Sequence, residues 1–437
     1  MAKAGSLDRT VALILGTIHC ILAVARDEYV RRTAITRAIP AEEDAALIDA
    51  TIAEYKDGCQ IATDMAWPDT SSKSDVQPLA YDTVREETDL TSQHAILATH
   101  QAAEAITGCQ EHDDSGRKTS KPTFTADTVT YDSRTMTLFD DGTVSLSTVK
   151  NRVRIPLALP NDEDGYQHQF IENDDWELTE STLTRRDGSY YIHLGFRRFA
   201  TEAEREAKKD HAEDTTTEDG TVLGVDLGVA NLAVTSTGTF IGGDELAHWQ
   251  REYEKRRASM QQVGTRWAHR DIQRVGRKEE TRFTILLHEA ANAIVADAKA
   301  NGCTHIAFED LSDIRDRLPW ATWQHLWAFR KVYEFVSYKA ISEGISVRQV
   351  NPQNTSRQCS RTDCGFTHPD NREDEDFECQ KCGYEVHADY NAAKNIAVKY
   401  AKRLHRLHTS SGGGAPVDVP LNSGLLTIEG PADVSVG

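Results

Sequence analysis

Between residues 359 and 396 the chain carries Cys359-x4-Cys364-x14-Cys379-x2-Cys382, and then Val386-His387-Ala388-Asp389-Tyr390-Asn391-Ala392-Ala393-Lys394-Asn395-Ile396. Two short cysteine pairs can each deliver two thiolates to one tetrahedral zinc with little chain strain. Gly365 and Gly383 follow the second cysteine of each pair, where such a knuckle turns back tightly. Four unrelated buried thiols, or two disulfides, are the competing account. Four cysteines leave no open coordination position, so the expected ion is a single structural Zn2+ on Cys359, Cys364, Cys379 and Cys382. The other cysteines, Cys20, Cys59, Cys109 and Cys303, are scattered. One tight cluster plus singletons fits a metal site in a reducing compartment, hence the cytoplasm.

Three acids stand out around this region. Asp226 lies in Gly224-Val225-Asp226-Leu227-Gly228, with Leu223, Val225 and Leu227 on the opposite face of the strand. Glu309 ends the apolar run His305–Phe308, and Asp389 opens the last helix. Singly, each has a plain explanation: a solvent-facing strand end, or a helix cap. Together they are how a sheet edge collects carboxylates, which repel unless cations neutralise them. Two hard cations, Mg2+ or Mn2+, shared among three carboxylates activate water and stabilise a leaving oxygen in phosphodiester hydrolysis.

The formal net charge of −20 over 437 residues argues against a nucleic-acid partner unless local evidence overrides it. Two segments do. Arg251–Arg282 holds ten bases against five acids, and Asn391–His408 holds five bases and no acid. A solvated helix face explains the first tolerably and the second poorly, and a phosphate-tracking groove explains both. The candidate contacts are Arg256, Arg257, Arg266, Arg270, Arg274, Lys394, Lys402 and Arg403. Excess acid with arginine favoured over lysine also suggests a halophilic cell. With 39% hydrophobic residues the chain can bury a sizeable core, which excludes a disordered or disulfide-stapled chain. The apolar run Thr10–Ala25, 16 residues, is shorter than the roughly 20 a membrane span needs. Ala23-Val24-Ala25 has the form of a signal-cleavage site, but Asp8 offsets Lys3 and Arg9 in the leading segment.

The pattern from Arg31 to about Gly108 is helical, with periodic runs at Glu43–Met65 and Ser92–Ile106. Strand-like alternation follows at 128–139, 143–159, 176–184 and 189–198, with hairpin signals at Asp141-Gly142 and Asp187-Gly188 and an acidic loop at Asn161–Asp164. This is an antiparallel unit expected to form a small barrel. Thr201–Gly220 reads as a solvated acidic linker or exposed helix. Strands are then expected within 221–235, at 304–308 and 346–350. Helices are expected at 253–276, 281–299, 323–341 and 390–407, and Ser410–Gly437 reads as a loose tail.

The order of acid strand Gly224–Gly228, acid strand Ala307–Leu311, ribbon preceded by Thr355-Ser356, and Asp389–Ile396 resembles the TnpB (OrfB) family of insertion-sequence proteins. The resemblance covers roughly Arg31 to His408. It implies a multidomain α+β and α/β chain: an extension at 1–30; a β-barrel wedge domain at 31–200 with a helical recognition segment at about 43–110; an acidic linker at 201–220; and a RuvC-like domain of RNase H fold at 221–350 and 386–408. The zinc ribbon is inserted at 351–385, and a flexible tail spans 409–437. Asp226, Glu309 and Asp389 match the family's catalytic acids. The implied activity is RNA-guided, metal-dependent cleavage of double-stranded DNA, with a transposon-encoded guide RNA, one Zn2+, two catalytic Mg2+ or Mn2+, and no membrane. Two departures are the Cys-x4-Cys knuckle, where Cys-x2-Cys is common, and the first thirty residues, which a start site set too far upstream would explain. A non-cleaving DNA-binding transposition accessory or repressor is the nearest rival. An actin-like or sugar-kinase-fold ATPase is more distant, because no second phosphate-binding glycine loop is found. Monomer and dimer stay open.

Overall fold

The structure is a computed structural model describing residues 28–114, 120–161, 165–213, 220–263, 266–310, 323–410 and 416–428. Most of the expected 1–30 extension, most of the 161–164 loop, residues 214–219 near the end of the acidic linker, and residues 411–415 and 429–437 of the expected tail lie outside the described residues. The chain forms two compact units, Met1–Ala200 and Thr201–Gly437. No helix among the described residues is long and apolar enough to cross a membrane.

The first unit runs β1 (Tyr29–Ala38), α1 (Glu42–Ala66), α2 (Lys73–Glu87), α3 (Ser92–Asp114), β2 (Thr128–Tyr131), β3 (Met136–Leu138), β4 (Thr143–Ser147), β5 (Arg152–Ala158), α4 (His168–Ile171), β6 (Glu177–Leu178), β7 (Ser181–Arg186) and β8 (Ser189–Phe199). Its sheet has the order β2-β7-β8-β1-β5-β4-β3, with β6 also on β8. Among the described residues β2 and β3 end the path, so the expected closed barrel is a half-barrel. Residues 31–38 are a correction to the helical expectation. Ala34, Thr36 and Ala38 are buried at every second position, a period of two, and β1 pairs with β8 from Tyr29↔Phe199 to Ala38↔Tyr190. The Asp187-Gly188 turn has positive φ at both residues (49° and 77°), which suits a two-residue hairpin.

Helices α1–α3 share one apolar core with this sheet. Polar ties reinforce the contact: the Tyr190 hydroxyl donates to Asp49 Oδ1 (2.7 Å), and the Val149 amide donates to Thr51 Oγ1 (3.1 Å). His94 of α3 is fully buried, edge-on to Tyr55 of α1 and Tyr131 of β2.

The second unit begins with α5 (Glu202–Glu213) and continues β9 (Val222–Asp226), β10 (Asn231–Thr235), β11 (Phe240–Gly242), α6 (Asp244–Val263), α7 (Arg266–Ala300), β12 (His305–Glu309), α8 (Trp323–Ile341) and β13 (Ser346–Val350). A three-stranded ribbon follows, β14 (Arg372–Glu373), β15 (Asp376–Glu378) and β16 (Glu385–His387), and then α9 (Ala388–Ser410), β17 (Val417–Leu421) and β18 (Gly424–Ile428). The main sheet has the order β11-β10-β9-β12-β13; β9, β12 and β13 are parallel, and β10 and β11 antiparallel. Alternation sorts the strands between two cores. Leu223, Val225, Ile306 and Phe308 face α7 and α8, whereas Val222, Ala307 and Val350 face α9 and the β17–β18 hairpin.

On the α9 side, strand and helix touch backbone to backbone. A Cβ at Gly224 would lie 2.1 Å from the Ala393 carbonyl oxygen and 2.7 Å from the Ala397 amide. Only glycine admits the helix at this depth.

Three other segments differ from expectation. The basic region 251–282 is divided between α6 and α7, which fold back on each other: Tyr253 meets Phe283, Arg257 pairs with Glu279, and Arg282 lies over Trp249. The acidic segment after Thr201 forms α5, in line with its exposed-helix reading, and departs from that reading in burying Glu204 and Ala207. The expected loose tail contains a hairpin whose Val417 and Val419 are fully buried, and Asp418 bridges to Thr221 beside β9. Its alternating apolar residues were masked by neighbouring glycine and proline.

Two expectations follow. Gly224→Ala should destabilise the second unit by about 3 kcal/mol or more, since the clash is with backbone. Gly276→Ala, mid-helix with nothing within 4 Å of its added Cβ, should instead stabilise by about 0.5–1 kcal/mol; denaturant titration of both variants checks the opposite signs. Burial, assisted by Arg152 and opposed by Asp132, lowers the His94 pKa to about 4. A histidine near 6.5 when unfolded and near 4 when folded keeps its full contribution above pH 6.5 and loses it as pH falls toward 4, a loss on the order of 3 kcal/mol. Denaturation profiles over that window should be flatter for His94→Leu than for the parent chain.

Candidate active site

Parallel pairing sets Phe308 beside Val225, so the next residue on each strand, Glu309 and Asp226, comes at the same strand ends and on the α9 face. Helix α9 supplies the third acid. Asp389, Ala393 and Ala397 recur every four residues on one stripe, and the last two rest on Gly224. One helical turn back toward Asp389 is about 6 Å, and two strand residues from Gly224 to Asp226 are about 6.6 Å. Asp389 therefore arrives over the end of β9; a Cβ at Gly228 would lie 3.8 Å from Asp389 Oδ2.

The acids sense one another. The Asp226 carboxyl is held well above the usual range by burial first, then by the negative charges of Glu309 and Asp389, with Arg372 opposing. Asp389, 8% exposed, accepts from Arg372 at Oδ1 (3.1 Å) and from Asn231 Nδ2 at Oδ2 (3.1 Å). Its backbone amide donates to His387 Nδ1 (3.2 Å). Glu309 accepts from the Thr355 hydroxyl. Mutually repelling carboxylates in a buried setting suit hard divalent cations with oxygen ligands. Asp226, Glu309 and Asp389 are the residues that would hold such a cation, with Arg372 beside Asp389 Oδ1.

Arg372 was missed by sequence reasoning. Its one signal is a lone base in the acid-rich run Asp370–Asp376. Asn231, at the start of β10, anchors Asp389.

The four cysteines are gathered. All four Sγ atoms lie within 4.8 Å of one another, with Cys359–Cys382 at 3.8 Å and Cys364–Cys379 at 3.7 Å. A tetrahedron with Zn–S bonds of about 2.3 Å has edges near 3.8 Å, so the donor set fits zinc. Gly365 and Gly383 have φ of 56° and 66°, the left-handed turn each knuckle needs. Burial would raise the Cys379 thiol, but hydrogen bonds from the Cys382 and Lys381 amides and from neighbouring thiols bring it down to about 7.

The nucleic-acid candidates divide. Arg256 is exposed beside the Tyr253 ring, Arg274 lies 3.5 Å from Asp271, Lys402 is exposed and Arg403 half-buried. Arg266 and Arg270 begin α7, and their side chains lie outside the described residues. Two need correction. Arg257 pairs with buried Glu279. Lys394 is 7% exposed, between the Tyr384 and Tyr390 rings (4.7 and 4.6 Å), and burial lowers its pKa to about 8. Helical position alone could not reveal that the ribbon covers it.

Residues 199–315 match the family model described as "Probable transposase" (OrfB), and residues 329–396 match "Cas12f1-like, TNB domain". The chain is 35% identical over 195 residues to a CRISPR-associated endodeoxyribonuclease Cas12f1 of Sulfoacidibacillus thermotolerans, covering 40% of this chain and 45% of that protein. It is 28% identical over 271 residues to a Cas12f1 of Syntrophomonas palmitatica, covering 48% and 54%. A TnpB-like protein of Aquifex aeolicus is 34% identical over 99 residues, covering 21% and 28%. The chain thus spans about half the length of the two Cas12f1 relatives. The fold resembles that of Cas12f1 in its complex with sgRNA and target DNA (TM-score 0.55, 16% identity, 82% of this chain and 83% of that one). It also resembles the mini-RNA-guided endonuclease Cas_phi3 (TM-score 0.51, 10% identity, 85% and 92%). The resemblance to the TnpB (OrfB) family stands: this chain carries an OrfB-type transposase segment and a Cas12f1-like TNB segment.

Metal analysis of the purified chain should return one zinc per molecule. Replacing both Cys379 and Cys382 by alanine should abolish it and unfold the ribbon, because small metal sites draw most of their stability from the ion. Unchanged zinc content in that double variant would refute the assignment.

Proposed function

We propose that the chain is an RNA-guided, divalent-metal-dependent DNA endonuclease of the OrfB (TnpB) type, encoded by a transposable element. The observation that carries this reading is the assembly of Asp226, Glu309 and Asp389 on one face of the mixed sheet, from two adjacent strand ends and a helix laid across them. The sheet order, a three-strand antiparallel meander followed by two parallel strands, supports an RNase H-like, RuvC-type domain at 221–350 and 386–408. The cysteine ribbon at 351–385 is its insert, and the half-barrel with α1–α3 is the wedge domain with its recognition segment. The endodeoxyribonuclease relatives, and the fold shared with a nuclease seen bound to guide RNA and target DNA, support the same substrate class.

Mg2+ or Mn2+ at the acids would supply the charge that lowers the pKa of attacking water and stabilises the leaving oxygen. The chain's own residues prepare the site for it. Asp226 is half-buried at the strand end beside two other acids, where its charge is costly until a cation arrives. Asn231 fixes the free rotation of Asp389, and Thr355 that of Glu309. Arg372 offsets part of an acid charge that would otherwise repel a phosphodiester. Exposed bases on the α6–α7 hairpin, with Lys402, are placed to track phosphates. In an acidic chain sequence reading falls to base pairing, which tolerates strong salt better than phosphate contacts do.

The test is cleavage of matched DNA by the RNA-loaded protein in Mg2+. Asp226→Ala should lower the rate by about a thousandfold or more while leaving DNA binding by the loaded complex within about threefold. Cleavage by this variant at the parental rate would overturn the assignment.

A further inference from the structure

The segment between β13 and the first zinc ligand touches both metal sites. Thr355 is 2% exposed, and its hydroxyl contacts Glu309 Oε1. The same hydroxyl lies 2.9 Å from the Pro352 carbonyl, but that oxygen already accepts the Thr355 amide (3.3 Å). That carbonyl has a second lone pair and can accept the hydroxyl too, but the single hydroxyl proton goes to the carboxylate, the stronger, charged acceptor.

Four residues further on comes Cys359, and two buried asparagines of α9 tie the intervening backbone down. Asn395 Nδ2 donates to the Thr355 carbonyl (2.8 Å) and the Gln358 carbonyl (2.6 Å). Asn391, fully buried, donates Nδ2 to the Gln358 carbonyl (2.8 Å) and accepts the Ser360 amide at Oδ1 (3.1 Å), gripping Cys359 from both sides. Asn391 and Asn395 are one helical turn apart on the helix that carries Asp389. Across the ribbon, fully buried Asn371 accepts the Gln380 amide beside Cys379 (3.0 Å), and the next residue, Arg372, reaches Asp389. Two of the three acids are thus held by groups whose backbone is fixed next to a zinc ligand.

We propose that Thr355 is a positioning residue for Glu309 and that, through Asn391 and Asn395, the cysteine ribbon sets the affinity of the acid site for its divalent cations. The inference rests on the acid site proposed above and adds a role for the ribbon within that site. A loosened ribbon frees the Thr355 hydroxyl from its fixed place, and Glu309 then loses orientation before any nucleic acid is involved.

The experiment uses the full zinc-loaded chain without nucleic acid and measures Mn2+ binding by calorimetry and by electron paramagnetic resonance, with Asp226→Asn identifying the acid-site fraction. Thr355→Val preserves shape and removes the hydroxyl. It should weaken acid-site Mn2+ binding about tenfold or more, the loss expected for a hydrogen bond to a charged group. Zinc content and melting profile should stay parental, and Thr355→Ser should restore affinity. Protein stripped of zinc by a chelator that is then dialysed away should show the same weakening with an intact Thr355. Parental Mn2+ affinity in Thr355→Val, or weakening that serine does not rescue, would overturn the inference while leaving the acid site in place. Absence of any Asp226-dependent Mn2+ binding in the parent chain would remove both.

Discussion

Everything in the second unit is arranged around one place where two backbones meet with no side chain between them. At Gly224 the central strand accepts α9 so closely that a methyl group would collide with the Ala393 carbonyl. Alanines at 393 and 397 make the helix equally bare at that point. The contact converts two unrelated periodicities into one distance, since a helical turn and two strand residues are nearly equal in length. Asp389 and Asp226 are brought together by that equality. A bulkier residue at any of these three positions would lift the helix and separate the acids before touching them.

The charge in this site is balanced by few groups. Among the groups facing the three carboxylates are two cations, Arg372 beside Asp389 and Lys399 near Glu309, and two neutral donors, Asn231 and the Thr355 hydroxyl. Neutral donors orient a carboxylate without cancelling its charge. The site is therefore held in shape yet remains electrostatically unsatisfied, the condition in which a hard cation binds best. Lys394 shows the opposite strategy: its ammonium is stripped of water and enclosed by two aromatic faces, locking ribbon to helix.

The acids and the cysteines were legible because their chemistry demands particular residue types at particular spacings. The strands that carry Asp226 and Glu309 were legible from short apolar runs. The half-barrel strand at 29–38 was not, since its alternation is diluted by arginines on the open face. The terminal hairpin was hidden by the composition around it, although Val417 and Val419 alternate as strand residues do. Arg372, Thr355 and the burial of Lys394 depend on how the ribbon lies against α9, a tertiary relation that no local pattern encodes. The break in the basic segment was expected after Gly276, whereas it falls between Val263 and Arg266, because helical periodicity does not report where a helix reverses; the ion pair of Arg257 with Glu279 follows from that reversal.

The terminal hairpin also has a bearing on time. Strand β9 is made about 165 residues before α9 begins and about 195 before β17, yet Val222 is sealed only when they pack over it. At about 5–20 residues per second, the ribosome leaves that face of the sheet uncovered for roughly 10–40 s. During this interval the strand ends bear Asp226 and Glu309 without their third partner. A nascent chain thus carries an exposed apolar sheet face and an incomplete acid cluster, and both are completed in one late closing step.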